Sequence, residues 1–233
     1  MRKTVITLLS AAVAVVLIRL FAFSSCTIPS AGEESVLYAG DRVIVSKWSY
    51  GLRTPFMSAF GYHRIGSRPV LRGDMLIFNN PAGRESSIDS RSLFVARCVG
   101  TPGDTLMLNS ELLCSQTDKT LPFVVPSRGS KVHVSPWNAK LLCNTVNRHE
   151  HRSARLRGDS LYVDGKYMSD VTFTKNYYWV VDSNIVNLSD SRLFGFVPDD
   201  HLVGRAVLVW FSKNPSEGVF SGYRWKRFFR PVN

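Results

Sequence analysis

The hydrophobic pattern divides the chain into two unequal parts. Near the N-terminus, Arg2 and Lys3 precede an uncharged, largely apolar run from Val5 to Ile18, then Arg19, then Leu20 to Phe23. At ~1.5 Å rise per residue, a helix over 5–23 nearly spans a hydrocarbon layer of ~30 Å, with Arg19 placed to snorkel at one end. The pattern therefore predicts a transmembrane anchor over 5–23 and a short cytoplasmic N-terminus over 1–4. Beyond Phe23 the period changes. Short runs rich in β-branched and aromatic residues, separated by Gly, Pro, Asp or Asn, predict strands over Arg42–Lys47, Asp74–Asn79, Leu93–Val99, Asp104–Leu108, Lys131–Val134, Ser160–Val163, Thr172–Val181 and Val203–Phe211. No long amphipathic helix is indicated there, so the class is mainly β.

Turn chemistry sharpens this reading. Gly40-Asp41 and Gly73-Asp74 stand at strand starts, and Asp164-Gly165 between LYV and KYM is a hairpin signal. The stretch over about 113–157 is more polar and holds Pro122, Pro126 and Pro136, which suggests a smaller β-rich subdomain inserted in the domain over 24–233.

Charge and cysteines add exclusions. The net charge is +11, but the basic residues are scattered and no zinc-finger, RNP-type or long basic-helix pattern accompanies them, which argues against nucleic acid. Cys26, Cys98, Cys114 and Cys143 lack zinc-site spacing; no metal or other cofactor is expected. If the domain is exported, a Cys114–Cys143 bridge and buried free thiols are both open. Arg2 and Lys3 outweigh the acidic-leaning segment after the apolar run, which by the positive-inside rule leaves the bulk of the chain outside the cytoplasm. Phe23-Ser24-Ser25-Cys26 also has the look of a degenerate lipoprotein site, which would leave Cys26 lipidated.

Five blocks in order resemble the type I signal peptidases, membrane-anchored serine endopeptidases with a Ser nucleophile and a Lys general base. They are Ile18–Phe21 running into Ile28-Pro29-Ser30; Gly40–Lys47 with Tyr50–Arg53; Arg72-Gly73-Asp74 leading to Phe78 and Pro81; Arg97–Asp104, similar to KRxxGxPGD; and Tyr177–Asp182 followed by Asp190-Ser191-Arg192, Gly195–Pro198 and Val203–Ala206. The resemblance implies a twisted antiparallel β domain of that type, location at a bacterial cytoplasmic (inner) membrane, and signal peptides or export machinery as partners. It also implies where the chemistry belongs. In the family motif PSxSMxPTLxxGD, the nucleophile stands three residues after Pro and nine before Asp; counting from Pro29 and back from Asp41 both give Gly32. The base stands four residues before the first glycine of GxPGD, and that position is Ala96. Ser30 matches an oxyanion-stabilising hydroxyl. Asp41, Arg97, Gly100, Pro102, Asp104, Asp190 and Arg192 match the scaffold of the site, whereas the family Ser that orients the lysine is replaced by Leu188.

A serine hydroxyl needs a base to become a nucleophile, and a lysine is one only when neutral. With Gly and Ala at these positions, the resemblance implies a family member without catalysis, in a peptide-binding or interaction role. An active enzyme using Ser30 or Ser35, and an exported lipoprotein or structural envelope module, are the alternatives.

Overall fold

The computed structural model describes residues 2–17, 22–28, 37–54, 57–83, 87–108, 121–182 and 190–232. Its centre is an eight-stranded sheet built from β1 (Phe23–Thr27), β2 (Asp41–Ser46), β5 (Met75–Asn79), β6 (Leu93–Gly100), β14 (Tyr177–Val181), β15 (Val197–Pro198), β16 (Leu202–Ser212) and β17 (Arg230–Pro231). The strand order is β1-β2-β16-β5-β6-β14-β15, with β17 on β16, and these pairings are antiparallel. Period-two alternation assigns the two faces. Leu76, Phe78, Ala96, Cys98 and Val180 pack on one face with Tyr50, Tyr178 and Phe194, and Cys26, Val43, Val45, Met75, Ile77 and Ala206 on the other, with Val95 against them.

Between β2 and β5 the chain forms a short pair, β3 (Leu52–Arg53) with β4 (Arg64–Ile65), and the helix α2 (Met57–Phe60). Between β6 and β14 it builds a second body of apolar packing. There β7 (Thr105–Leu108) pairs β8 (Leu121–Val124), β9 (Lys131–His133) pairs β13 (Asp170–Thr172), and β10 (Ala154–Arg157), β11 (Ser160–Val163) and β12 (Lys166–Met168) form a three-stranded sheet. The turn at Asp164-Gly165 has positive φ at both residues (52° and 81°), the geometry that a two-residue type I′ hairpin demands.

Three expectations need correction. The apolar run does not continue as one helix to Phe23: α1 covers Arg2–Leu17, and Phe23–Thr27 is the edge strand β1, each of its residues paired with β2. Edge pairing supplies the backbone partners of Phe23 that a helix would otherwise supply. Among the described residues no helix is long and apolar enough to cross a membrane; residues 18–21 lie outside them. The stretch read as β-rich over 113–157 carries an 11-residue helix, α3 (Ala139–His149). It buries Ala139, Leu142, Cys143, Val146 and His149, a stripe the sequence obscures by placing Asn, Lys, Thr and His among few large apolar residues. Finally, the strand read over Thr172–Val181 is two strands interrupted over 173–176. The thiols of Cys26, Cys98 and Cys143 are free and buried; Cys114 lies outside the described residues.

Candidate active site

The site's frame rests on buried carboxylates that hold backbone. Asp41, fully buried at the start of β2, accepts from Ser212 Oγ at 2.6 Å, Arg227 Nη2 at 2.6 Å and the Tyr38 amide at 2.9 Å. The preceding Gly40 has φ +84°, and a Cβ there would meet the Lys213 carbonyl at 1.9 Å, so neither the conformation nor the space admits another residue. Ile28 donates to the Asp41 carbonyl at 2.8 Å and accepts from the Gly40 amide at 2.9 Å. With Leu37 also buried, both ends of the segment that carries Ser30, Gly32 and Ser35 are fixed to the sheet. Those three residues themselves lie outside the described residues.

A second carboxylate repeats the arrangement. Asp190, also fully buried, caps the short helix α4 (Ser191–Phe194) by accepting from the Arg192 amide at 2.9 Å. The Arg192 side chain returns to it, Nη2 to Oδ2 at 2.5 Å, while donating to the Asp182 carbonyl at 2.7 Å. Asp190 in turn accepts from the Asp182 amide at 2.8 Å. Both backbone groups of Asp182 are therefore held, and the ends of the segment 183–189, which contains Leu188, are fastened together. That segment lies outside the described residues.

Between these clamps runs β6. Ala96 is fully buried opposite Leu76 of β5, in the cluster that holds Phe78, Cys98, Tyr178 and Val180. Burial pushes the neighbouring Cys98 thiol up to about 12, a measure of how strongly this face disfavours charge. Arg97 donates to the Gly73 carbonyl at 2.9 Å. The turn after β6 is closed by Asp104, which accepts from the Thr101 amide and hydroxyl at 2.7 Å each and from Arg72 Nε at 2.8 Å; with Arg72 as its chief cause, its pKa falls to about 2. Gly100 is needed for packing: a Cβ would stand 2.7 Å from Leu106 Cδ1. Pro102 sits in the turn. The structure gathers Ala96, Arg97, Gly100, Pro102 and Asp104 on one strand and its turn. It does not place Ala96 with Ile28 and Leu37, the described flanks of the Gly32 segment, which pack on the opposite face.

Sequence reasoning missed a further polar cluster. Asp200, buried, accepts from Lys175 Nζ at 2.7 Å and pairs with His201 Nδ1 at 2.8 Å. The His201 Nε2 accepts from Arg91 at 3.1 Å, so its ring is neutral with the proton on Nδ1. Both ring nitrogens are thus engaged, and His201 has no lone pair left for a serine. His149, its ring 5.4 Å from that of His201, is driven down to about 3 by burial. Adjacent Asp200-His201 was the visible signal; their burial was not.

Comparison with known proteins agrees with this frame. The family model for signal peptidase, peptidase S26, matches residues 1–211. The chain belongs to the signal peptidase family. It is similar to signal peptidase I of Haemophilus influenzae, 26% identical with 94% of this chain and 72% of the relative covered. It is also similar to that of Aquifex aeolicus, 29% identical with 93% and 87% covered, and to that of Pseudomonas aeruginosa, 28% identical with 85% and 68% covered. The mainly β antiparallel architecture is in keeping with membership of the signal peptidase family.

Proposed function

We propose that this chain is a membrane-anchored member of the signal peptidase family that does not cleave peptides and serves by binding exported peptide segments or a component of the export machinery. The observation that carries the reading is that the described residues offer no usable lysine. A Ser/Lys pair needs its lysine desolvated enough to be neutral. Among the described residues no lysine is buried, Lys175 is tied to Asp200, and the family's base position is Ala96, a methyl group inside an apolar cluster. At the nucleophile position, Gly32 offers no atom to acylate.

The anchor rests on α1. Its apolar side chains Val5, Leu8, Leu9, Val13 and Val16 are exposed, left uncovered among the described residues. Sixteen residues reach ~24 Å, most of the ~30 Å that a hydrocarbon layer presents. In this reading residues 1–4 are cytoplasmic, the span lies in a bacterial inner membrane, and 24–233 is extracytoplasmic, with the excursion between β6 and β14 as an inserted subdomain.

The test is cleavage of signal-peptide-bearing precursors by the purified full chain. No product is expected from the native protein. Turnover that disappears on Ser30→Ala or Ser35→Ala overturns the proposal. The double variant Gly32→Ser with Ala96→Lys asks whether the groove is intact, since recovered cleavage requires a bound and oriented substrate.

A further inference from the structure

Between α3 and α4 lies an open cavity of about 320 Å³; of the positions matched to the family's site only Arg192, already tied to Asp190, is among its described lining residues. One wall is aromatic: Phe123, Trp137 and Trp179, with Phe123 and Trp179 meeting edge to face at 4.8 Å between ring centres. Trp179 is 3% exposed, yet its indole N–H has no hydrogen-bond partner. Such a donor left unpaired in the interior costs about 1–3 kcal/mol, and natural structures rarely leave one without reason. The opposite side is cationic. Lys140 and Arg148 line it from α3, two turns apart, and Arg148 is steadied by donating Nη1 to the Phe194 carbonyl at 3.2 Å. Among the described residues no Asp or Glu lines the cavity.

The ammonium and the guanidinium both call for a negative charge. The planar fork of Arg148 matches a carboxylate, while the aromatic wall calls for an apolar body. The volume is at the small end of ligand cavities, ~300–1,000 Å³, which suits a ring with a short chain. We propose that this cavity is a binding site for a small carboxylate carrying an aromatic or aliphatic body, seated on Trp179 with its charge toward Lys140 and Arg148. A bare inorganic anion would satisfy the cations and leave the aromatic wall uncovered.

The experiment uses the full chain in lipid nanodiscs with ¹⁵N-labelled indoles, the Trp179 resonance being assigned with Trp179→Phe. 4-Phenylbutyrate is expected to move that resonance saturably, with at least about tenfold weaker binding for 4-phenylbutanamide and for the Arg148→Gln protein. Inorganic phosphate should not reproduce the shift. A Trp179 resonance that does not move, equal affinity for acid and amide, a phosphate response equal to that of phenylbutyrate, or an undiminished response in Asn144→Trp, which fills the mouth, each overturns the proposal. The other four indole resonances report whether Arg148→Gln keeps its fold; should they shift, Lys140→Gln takes its place with the same expected loss.

Discussion

Asp190 and Ala96 are both fully buried in the same sheet region, and they are buried on opposite terms. Asp190 is surrounded by donors: the Arg192 guanidinium, the Arg192 amide and the Asp182 amide. Ala96 is surrounded by Leu76, Phe78, Tyr178 and Val180 and asks for nothing. The difference teaches that this chain keeps polar groups inside where they fasten backbone and has none at Ala96, the position at which the proposed reading looks for a base. A buried charge tolerates no half-measures, whereas a buried methyl group can stand wherever the volume is right.

The comparison is broken most severely by removing one partner of the clamp. Arg192→Met strands a buried carboxylate and should cost about 3–5 kcal/mol, read from the midpoint of denaturant unfolding. Less costly is the converse, placing a charge where none is held. Ala96→Lys should destabilise by about 1–3 kcal/mol from overpacking alone. This apolar face will also hold the new lysine's pKa below its unfolded value of ~10.4. The unfolded chain then binds more protons, so the deficit should shrink as pH rises toward ~10.4. A deficit that does not change with pH would show that the ammonium reaches water.

The smallest expected effect concerns a third kind of buried group, one that stays neutral. His149, held near 3 by burial, is protonated in the unfolded chain below ~6.5. Stability should therefore fall as the pH drops from ~6.5 toward 3, at up to about 1.4 kcal/mol per pH unit from this residue. His149→Phe should flatten that part of the profile measured by thermal unfolding, with Asp104 adding a further loss as the pH falls from its unfolded value of ~3.9 toward its own value of about 2.

Most of the central sheet was legible because its strands are dense in β-branched residues and begin at Gly-Asp turns, as β2 and β5 show. The strand β1 was hidden because Ala22 and Phe23 continue an apolar run whose helix stops earlier. The helix α3 was hidden because its core contacts come from Ala139, Cys143 and Thr145 as much as from leucines, so composition muted its period. At the site, the spacing around GTPGD locates Ala96 on its strand, and burial there follows from the alternation. What spacing lacks is distance: nothing local in the sequence links Asp41 to Arg227, which lie 186 positions apart. Long-range pairs of this kind form because desolvated carboxylates need partners wherever the fold can bring them.

The fastened loop ends carry one more consequence. Ile28 with Gly40 and Asp41 fastens the ends of one segment, and Asp182 with Asp190 and Arg192 those of another, so each closure is made by residues outside the segment it encloses. The entropy of such a loop changes by only ~0.6 kcal/mol per doubling of its length. Closures of this kind do not depend on the identity of the residues they enclose, and a scaffold built in this way can shed a reaction without shedding its shape.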